Sequence, residues 1–135
     1  MKRISLAYEG GLRCRSINET GDEILTDGPR AAGGMGEALS PTEMLVFSLC
    51  SCMLTMMGFT AQKEGVELKG TTVEGDEEMA SQPVRKISKI TLAFDMCRGI
   101  PASKRKILED AAASCPVRKS LNPDIQIQSS FKYPD

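Results

Sequence analysis

The chain has 135 residues, 41% of them hydrophobic, enough for one domain with a core of its own and too few for a comfortable second. Its 17 basic residues face 18 acidic ones, and with four Phe, two Tyr and no Trp it lacks both the field and the stacking surface that nucleic-acid binding asks for. The opening MKRISLAYEG carries two basic residues with no apolar segment behind them, so it reads as no secretory leader and the chain as cytoplasmic.

The first thirty residues predict an antiparallel meander. ISLAYEGG alternates at Ile4, Leu6 and Tyr8, and GLRCRSI and EILTDGP follow, separated by glycine-rich or NETG turns. AAGGMGEALS, dense in glycine and small residues, predicts a mobile loop. SPTEML is the strongest helix start in the chain. Ser40 is placed to cap, Pro41 suits the first helical position, and Glu43 completes a capping box in which each side chain covers an orphan backbone amide. The run MLVFSLCSCMLTMMGF is apolar on every side, so this helix is expected to be buried all round. Ser48, Ser51 and Thr55 interrupt it, and its apolar length falls short of the ~20 residues a bilayer needs, so it is not read as a membrane span.

Past Gly65 the pattern returns to strand. VELKGTTVEGD and VRKISKITLAFDM, with Ile90, Leu92, Phe94 and Met96 at a period of two, predict a long hairpin. GIPASKRKILEDAAAS predicts a helix with Pro101 near its start. Pro116 cannot continue that helix, so a short new one begins with Cys115 as its N-cap and ends at Asn122 and Pro123. A sulfur there faces unpaired amides and the positive end of the helix dipole, which favour thiolate over thiol. DIQIQSSFKY closes the chain as a strand, with Ile125, Ile127, Phe131 and Tyr133 on alternating positions. The fold class is α+β in a single domain over 1–135, and a second subunit is the simplest cover for a helix apolar all round.

The five cysteines, Cys14, Cys50, Cys52, Cys97 and Cys115, are odd in number, which argues against a disulfide framework. Without histidine or C-x2-C pairs there is no zinc pattern, so neither metal nor cofactor is expected, and a hydrolase nucleophile would lack its base. Cys52 shares a helix face with Leu45, Leu49 and Met56, whereas Cys50 points to the far side and cannot pair with it while the helix stands. Taken singly, each thiol is explained as core packing, and Cys14 and Cys97 are read as core or surface thiols.

SPTEMLVFSLCSC, followed more than sixty residues later by SCPVRKSL, resembles the osmotically inducible and organic-hydroperoxide-resistance proteins of the OsmC/Ohr family. The order of strands and helices matches that fold along nearly the whole chain. The resemblance implies an α+β, OsmC-like fold in which antiparallel sheets wrap long central helices of an intertwined homodimer. It also implies reduction of organic hydroperoxides by a cysteine pair at the subunit interface. Cys52 falls on the family's peroxidatic position and Cys115 on its resolving one. Arg13 falls nearest the arginine that holds the thiolate, with Arg15 as the alternative. The hydroperoxide-reducing branches carry a carboxylate directly after the motif proline, where this chain has Thr42. Glu43 is one residue on, about 100° round the helix, and is either a site carboxylate or only a cap.

Peroxide reduction needs a thiolate, a fixed positive group and a way to discharge the sulfenic acid. Without histidine, the positive group must be arginine, lysine or a helix terminus. The expected cycle runs through a Cys52 sulfenic acid to a Cys52–Cys115 disulfide reduced by an external dithiol. The alternative is a binding module of the same fold that holds a small apolar molecule, the cysteines being passive lining. A structural or redox-sensing protein without turnover is a further one.

Overall fold

The computed structural model describes residues 4–134. Its elements run β1 (Ala7–Gly10), β2 (Arg13–Ile17), β3 (Glu23–Asp27), a 3-10 turn (Arg30–Ala32), α1 (Pro41–Glu64), β4 (Thr72–Ala80), β5 (Lys86–Asp95), α2 (Ala102–Ala113), α3 (Pro116–Ser120) and β6 (Gln126–Lys132). They fall into two compact units, Met1–Leu45 and Val46–Asp135.

The first unit is the expected meander, an antiparallel sheet of order β1-β2-β3. The Asn18 side-chain oxygen accepts the amides of Thr20 and Asp22, which closes a turn that pairs Ile17 with Glu23. The same register, carried back four residues, sets Arg13 opposite Asp27. Between β1 and β2 the chain passes through Gly10, Gly11 and then Leu12, which at φ 65° occupies the left-handed region that glycine favours. The glycine-rich segment expected to be mobile is instead laced to the sheet. Gly28 N–H donates to Leu12 O at 2.9 Å, Gly36 N–H to Gly28 O at 3.1 Å and Asp27 N–H to Leu39 O at 3.0 Å. A Cβ on Gly34 would stand 2.0 Å from the Gly28 carbonyl oxygen, so only glycine passes there.

In the second unit β5 is central, antiparallel to β4 and parallel to β6, with α2 and α3 in the crossover. Ile90, Leu92, Phe94 and Met96 are buried at the expected period of two, and Phe94 stacks on Phe131 of β6 at 4.6 Å between centroids. The hairpin forms as expected but β4 starts at Thr72, because β5 ends opposite it at Asp95 and residues 66–71 have no strand to pair with. Cys97 fastens that connection, its N–H donating to Thr71 Oγ1 at 3.1 Å and its S–H to Glu67 O at 3.3 Å.

Helix α1 departs from the sequence expectation twice. It buries one stripe, Val46, Leu49, Met53, Met57 and Ala61, at three- and four-residue intervals, while Phe47 and Phe59 are 57% and 58% exposed. It also runs 24 residues, and among the described residues it is the one helix long and apolar enough to cross a membrane by length and composition. The buried stripe makes it the core helix of this unit. Its approach to the sheet is set at Gly75 of β4, where a Cβ would lie 2.6 Å from Val46 Cγ1 and 3.0 Å from Cys50 Sγ.

Candidate functional site

The second unit brings Cys52 and Cys115 together. Cys52 lies half-buried in the middle of α1, and Cys115 is fully buried between α2 and α3. Cys115 is the N-cap of α3, with Pro116 at the first helical position, and its sulfur accepts the Arg118 N–H at 3.5 Å. The two thiols are close enough to influence one another electrostatically. The expectation that the helix terminus would favour thiolate at Cys115 is reversed. Burial pushes this thiol up from its ordinary pKa, the hydrogen bond to Cys52 adds to that, and the amides of Arg118 and Val117 only oppose it. Cys115 is therefore held toward its thiol form. Cys50 turns away, against Gly75 of β4, and burial raises its thiol also.

Arg13 and Glu43 belong to the first unit. The Arg13 guanidinium forks onto Asp27, Nε to Oδ1 at 3.4 Å and Nη2 to Oδ2 at 2.9 Å, and Nη2 also reaches Glu37 Oε2 at 2.8 Å. The Asp27 side chain is fully buried and accepts the Glu37 N–H at 2.9 Å as well. The bonds from Arg13 and that amide hold the Asp27 carboxyl below its ordinary pKa against the opposing effect of burial, and the carboxylates raise the Arg13 guanidinium further. Arg15 instead pairs with the more exposed Glu9, at 2.8 Å, and Glu23. Glu43 is exposed in the first turn of α1, and its N–H donates to the capping Ser40 Oγ at 3.3 Å.

The model of the family described as OsmC-like protein matches residues 34–130, which span both units. This chain belongs to the OsmC-like family. Among solved structures it is similar to a protein of Psychrobacter arcticus 273-4 described as an osmotic stress induced and detoxification response protein. The two are 37% identical, 98% of this chain covers 96% of that one, and the TM-score is 0.91. The organic hydroperoxide resistance protein OhrB of Bacillus subtilis shares the fold at 19% identity and TM-score 0.70, with 98% of each chain covered. So does an organic hydroperoxide resistance protein of Vibrio cholerae with captopril bound in one of its active sites, at 20% identity, TM-score 0.72, and 96% of this chain against 90% of that one. No curated protein matches.

In this OsmC-like chain the motif reading locates Cys52 and Cys115 but passes over Asp27 and Glu37. The signal for Asp27 lies in the sequence. Once the Asn18–Asp22 turn is recognised, the hairpin register places it directly across from Arg13. Glu37 carries no such signal, since a folded glycine loop delivers it.

Proposed function

We propose that this OsmC-like protein is a thiol-dependent peroxidase that reduces organic hydroperoxides to alcohols, with Cys52 peroxidatic and Cys115 resolving. The observation that carries the reading is the nearness of Cys52 and Cys115, two thiols from distant segments with the attacking sulfur the more accessible. The organic hydroperoxide resistance proteins of B. subtilis and V. cholerae, and the detoxification protein of P. arcticus, support the substrate class.

The Cys52 thiolate attacks the terminal peroxide oxygen. The O–O bond breaks, the alkoxide leaves with a proton as alcohol, and Cys52 is left as sulfenic acid. Cys115, held as a thiol by its burial, then attacks the Cys52 sulfur. Its proton departs with the sulfenic hydroxide as water, and a disulfide forms that an external dithiol reduces in the cytoplasm. Arg13 is the fixed positive group, preferred over Arg15 because its fork rests on a buried carboxylate. Glu43 enters as a helix-capping residue. Leu45 and Met56, half-buried on the Cys52 face of α1, take up the alkyl group, which gains about 25 cal/mol per Å² of apolar surface removed from water. The working form is a homodimer, supported by the exposed Phe47 and Phe59 of α1.

A stoichiometric titration of the reduced protein with cumene hydroperoxide, read by intact mass, tests this. Cys52→Ser is expected to consume nothing. Cys115→Ser should consume about one equivalent per chain, leave a trappable sulfenic acid at Cys52 and then stall or over-oxidise. Should wild type consume no peroxide, the binding module takes the place of the peroxidase.

A further inference from the structure

The sheet of the second unit has two different faces. Gly75 and Leu92 turn toward Val46 and Cys50 of α1, so their strand neighbours Glu74 and Ala93 turn away from that helix. On the far face the register lines up two rows across all three strands, Thr72–Asp95–Lys132 and Glu74–Ala93–Ser130. These six residues surround a hollow of about 260 Å³. Ala93 stands in the middle of its row with only a methyl group, so the floor is low and longer polar side chains rise around it. The charges there do not satisfy one another. Asp95 and Lys132 are register partners, yet neither they nor Thr72, Glu74 and Ser130 make a side-chain hydrogen bond or ion pair among the described residues. Farther along the same face Glu78 and Lys89, also directly opposite, do meet, at 4.0 Å.

We propose that this hollow is a binding site for a small zwitterionic amino acid. The ligand's ammonium group lies between the Glu74 and Asp95 carboxylates, with the Thr72 hydroxyl as a further acceptor, and its carboxylate meets the Lys132 ammonium and the Ser130 hydroxyl. The placement of charge decides the class. The two carboxylates sit on β4 and β5 and the one ammonium on β6, so the site asks for both signs in one molecule, separated by roughly the 4.8 Å between neighbouring strands. A plain anion would also face two carboxylates, and a plain amine would leave Lys132 opposing it. The same lysine disfavours a metal ion, and the described residues hold no group of three or more His, Cys, Asp or Glu that could ligate one. The volume is at the low end for ligand sites, which limits the occupant to an amino acid with a short carbon chain. The site stands apart from the peroxidase reading and uses none of its residues.

The probe is β-alanine, compared with propionate and propylamine, which each keep one of its two charges. Each is titrated at low salt into the isotope-labelled full chain, and the backbone amide shifts are followed by NMR. β-Alanine is expected to give saturable shifts at Thr72, Glu74, Ala93, Asp95, Ser130 and Lys132, with half-saturation on the order of 1 mM, the scale so few ligand atoms can supply. Propionate and propylamine should each bind at least about 10-fold more weakly, having lost a charge-assisted pair. Lys132→Gln should weaken β-alanine by a similar factor. Ala93→Val, which raises the floor with a residue that strands accept, should abolish its binding, and both substituted positions are exposed, so the fold tolerates them. If β-alanine gives no saturable shift, or gives one only at other residues, the site is overturned. Equal binding of propionate or propylamine overturns the zwitterion as its ligand, and undiminished binding by Ala93→Val overturns the hollow as its place. None of these results touches peroxide consumption, so the two proposals fail separately.

Discussion

Replacing Gly75 with alanine tests whether α1 sits as close to β4 as described. The new methyl would stand 2.6 Å from Val46 Cγ1, 3.0 Å from Cys50 Sγ and 3.2 Å from Leu92 Cδ2. Ordinary carbon contacts begin near 3.5 Å, so Val46 must retreat by about 0.9 Å. Valine on a helix has essentially one side-chain rotamer, so the helix has to move with it. Overpacking of this kind costs about 1–3 kcal/mol, which for a chain of this length lowers the melting temperature by roughly 4–12 °C. Differential scanning calorimetry of Gly75→Ala, Val46→Ala and the double variant provides the measurement. Val46→Ala removes the clashing methyl groups, so the double variant should be more stable than the two single losses add up to. A Gly75→Ala protein that melts at or above wild type, or strict additivity in the cycle, would refute the close approach.

Two further outcomes follow from α1. Leu49 has no solvent exposure, so Leu49→Asp buries an unpaired charge at a cost of about 4 kcal/mol or more, a large share of the ~5–15 kcal/mol total stability of a domain. It should unfold by circular dichroism rather than merely lose activity, and a folded, inactive variant would contradict the burial of this face. The exposed Phe47 and Phe59 predict a dimer in sedimentation velocity at micromolar concentration. A stable, folded wild-type monomer there would remove the support for the homodimer.

What could be read in the sequence was local. SPTE and SCP announce helix starts because caps and prolines act within one turn, and the structure places Ser40, Pro41, Cys115 and Pro116 accordingly. The alternation in β5 was legible because Ile90, Leu92 and Phe94 are buried while Thr91, Ala93 and Asp95 between them are exposed. Whatever depends on distant pairing was not. The parallel partnership of β5 with β6 and the late start of β4 at Thr72 follow from which strand lies alongside, and no window of residues contains that information. The ionisation of Cys115 was misjudged for a related reason. The N-cap amides are a local property, whereas the burial and the Cys52 contact that outweigh them come from the packed core.

The parallel pairing of β6 with β5 also orders events as the chain folds. The β4–β5 hairpin needs only a short loop to close and can form early, whereas β6 can join β5 only after residues 96–125 have been gathered across the sheet. Cys115 lies inside that crossover, so its sulfur meets Cys52 only when the slowest and most non-local part of the topology is complete. A chain still emerging during synthesis has Cys52 without Cys115 beside it. The meeting of the two sulfurs thus belongs to the finished fold, and the burial of Cys115 against a thiol reagent marks the end of folding.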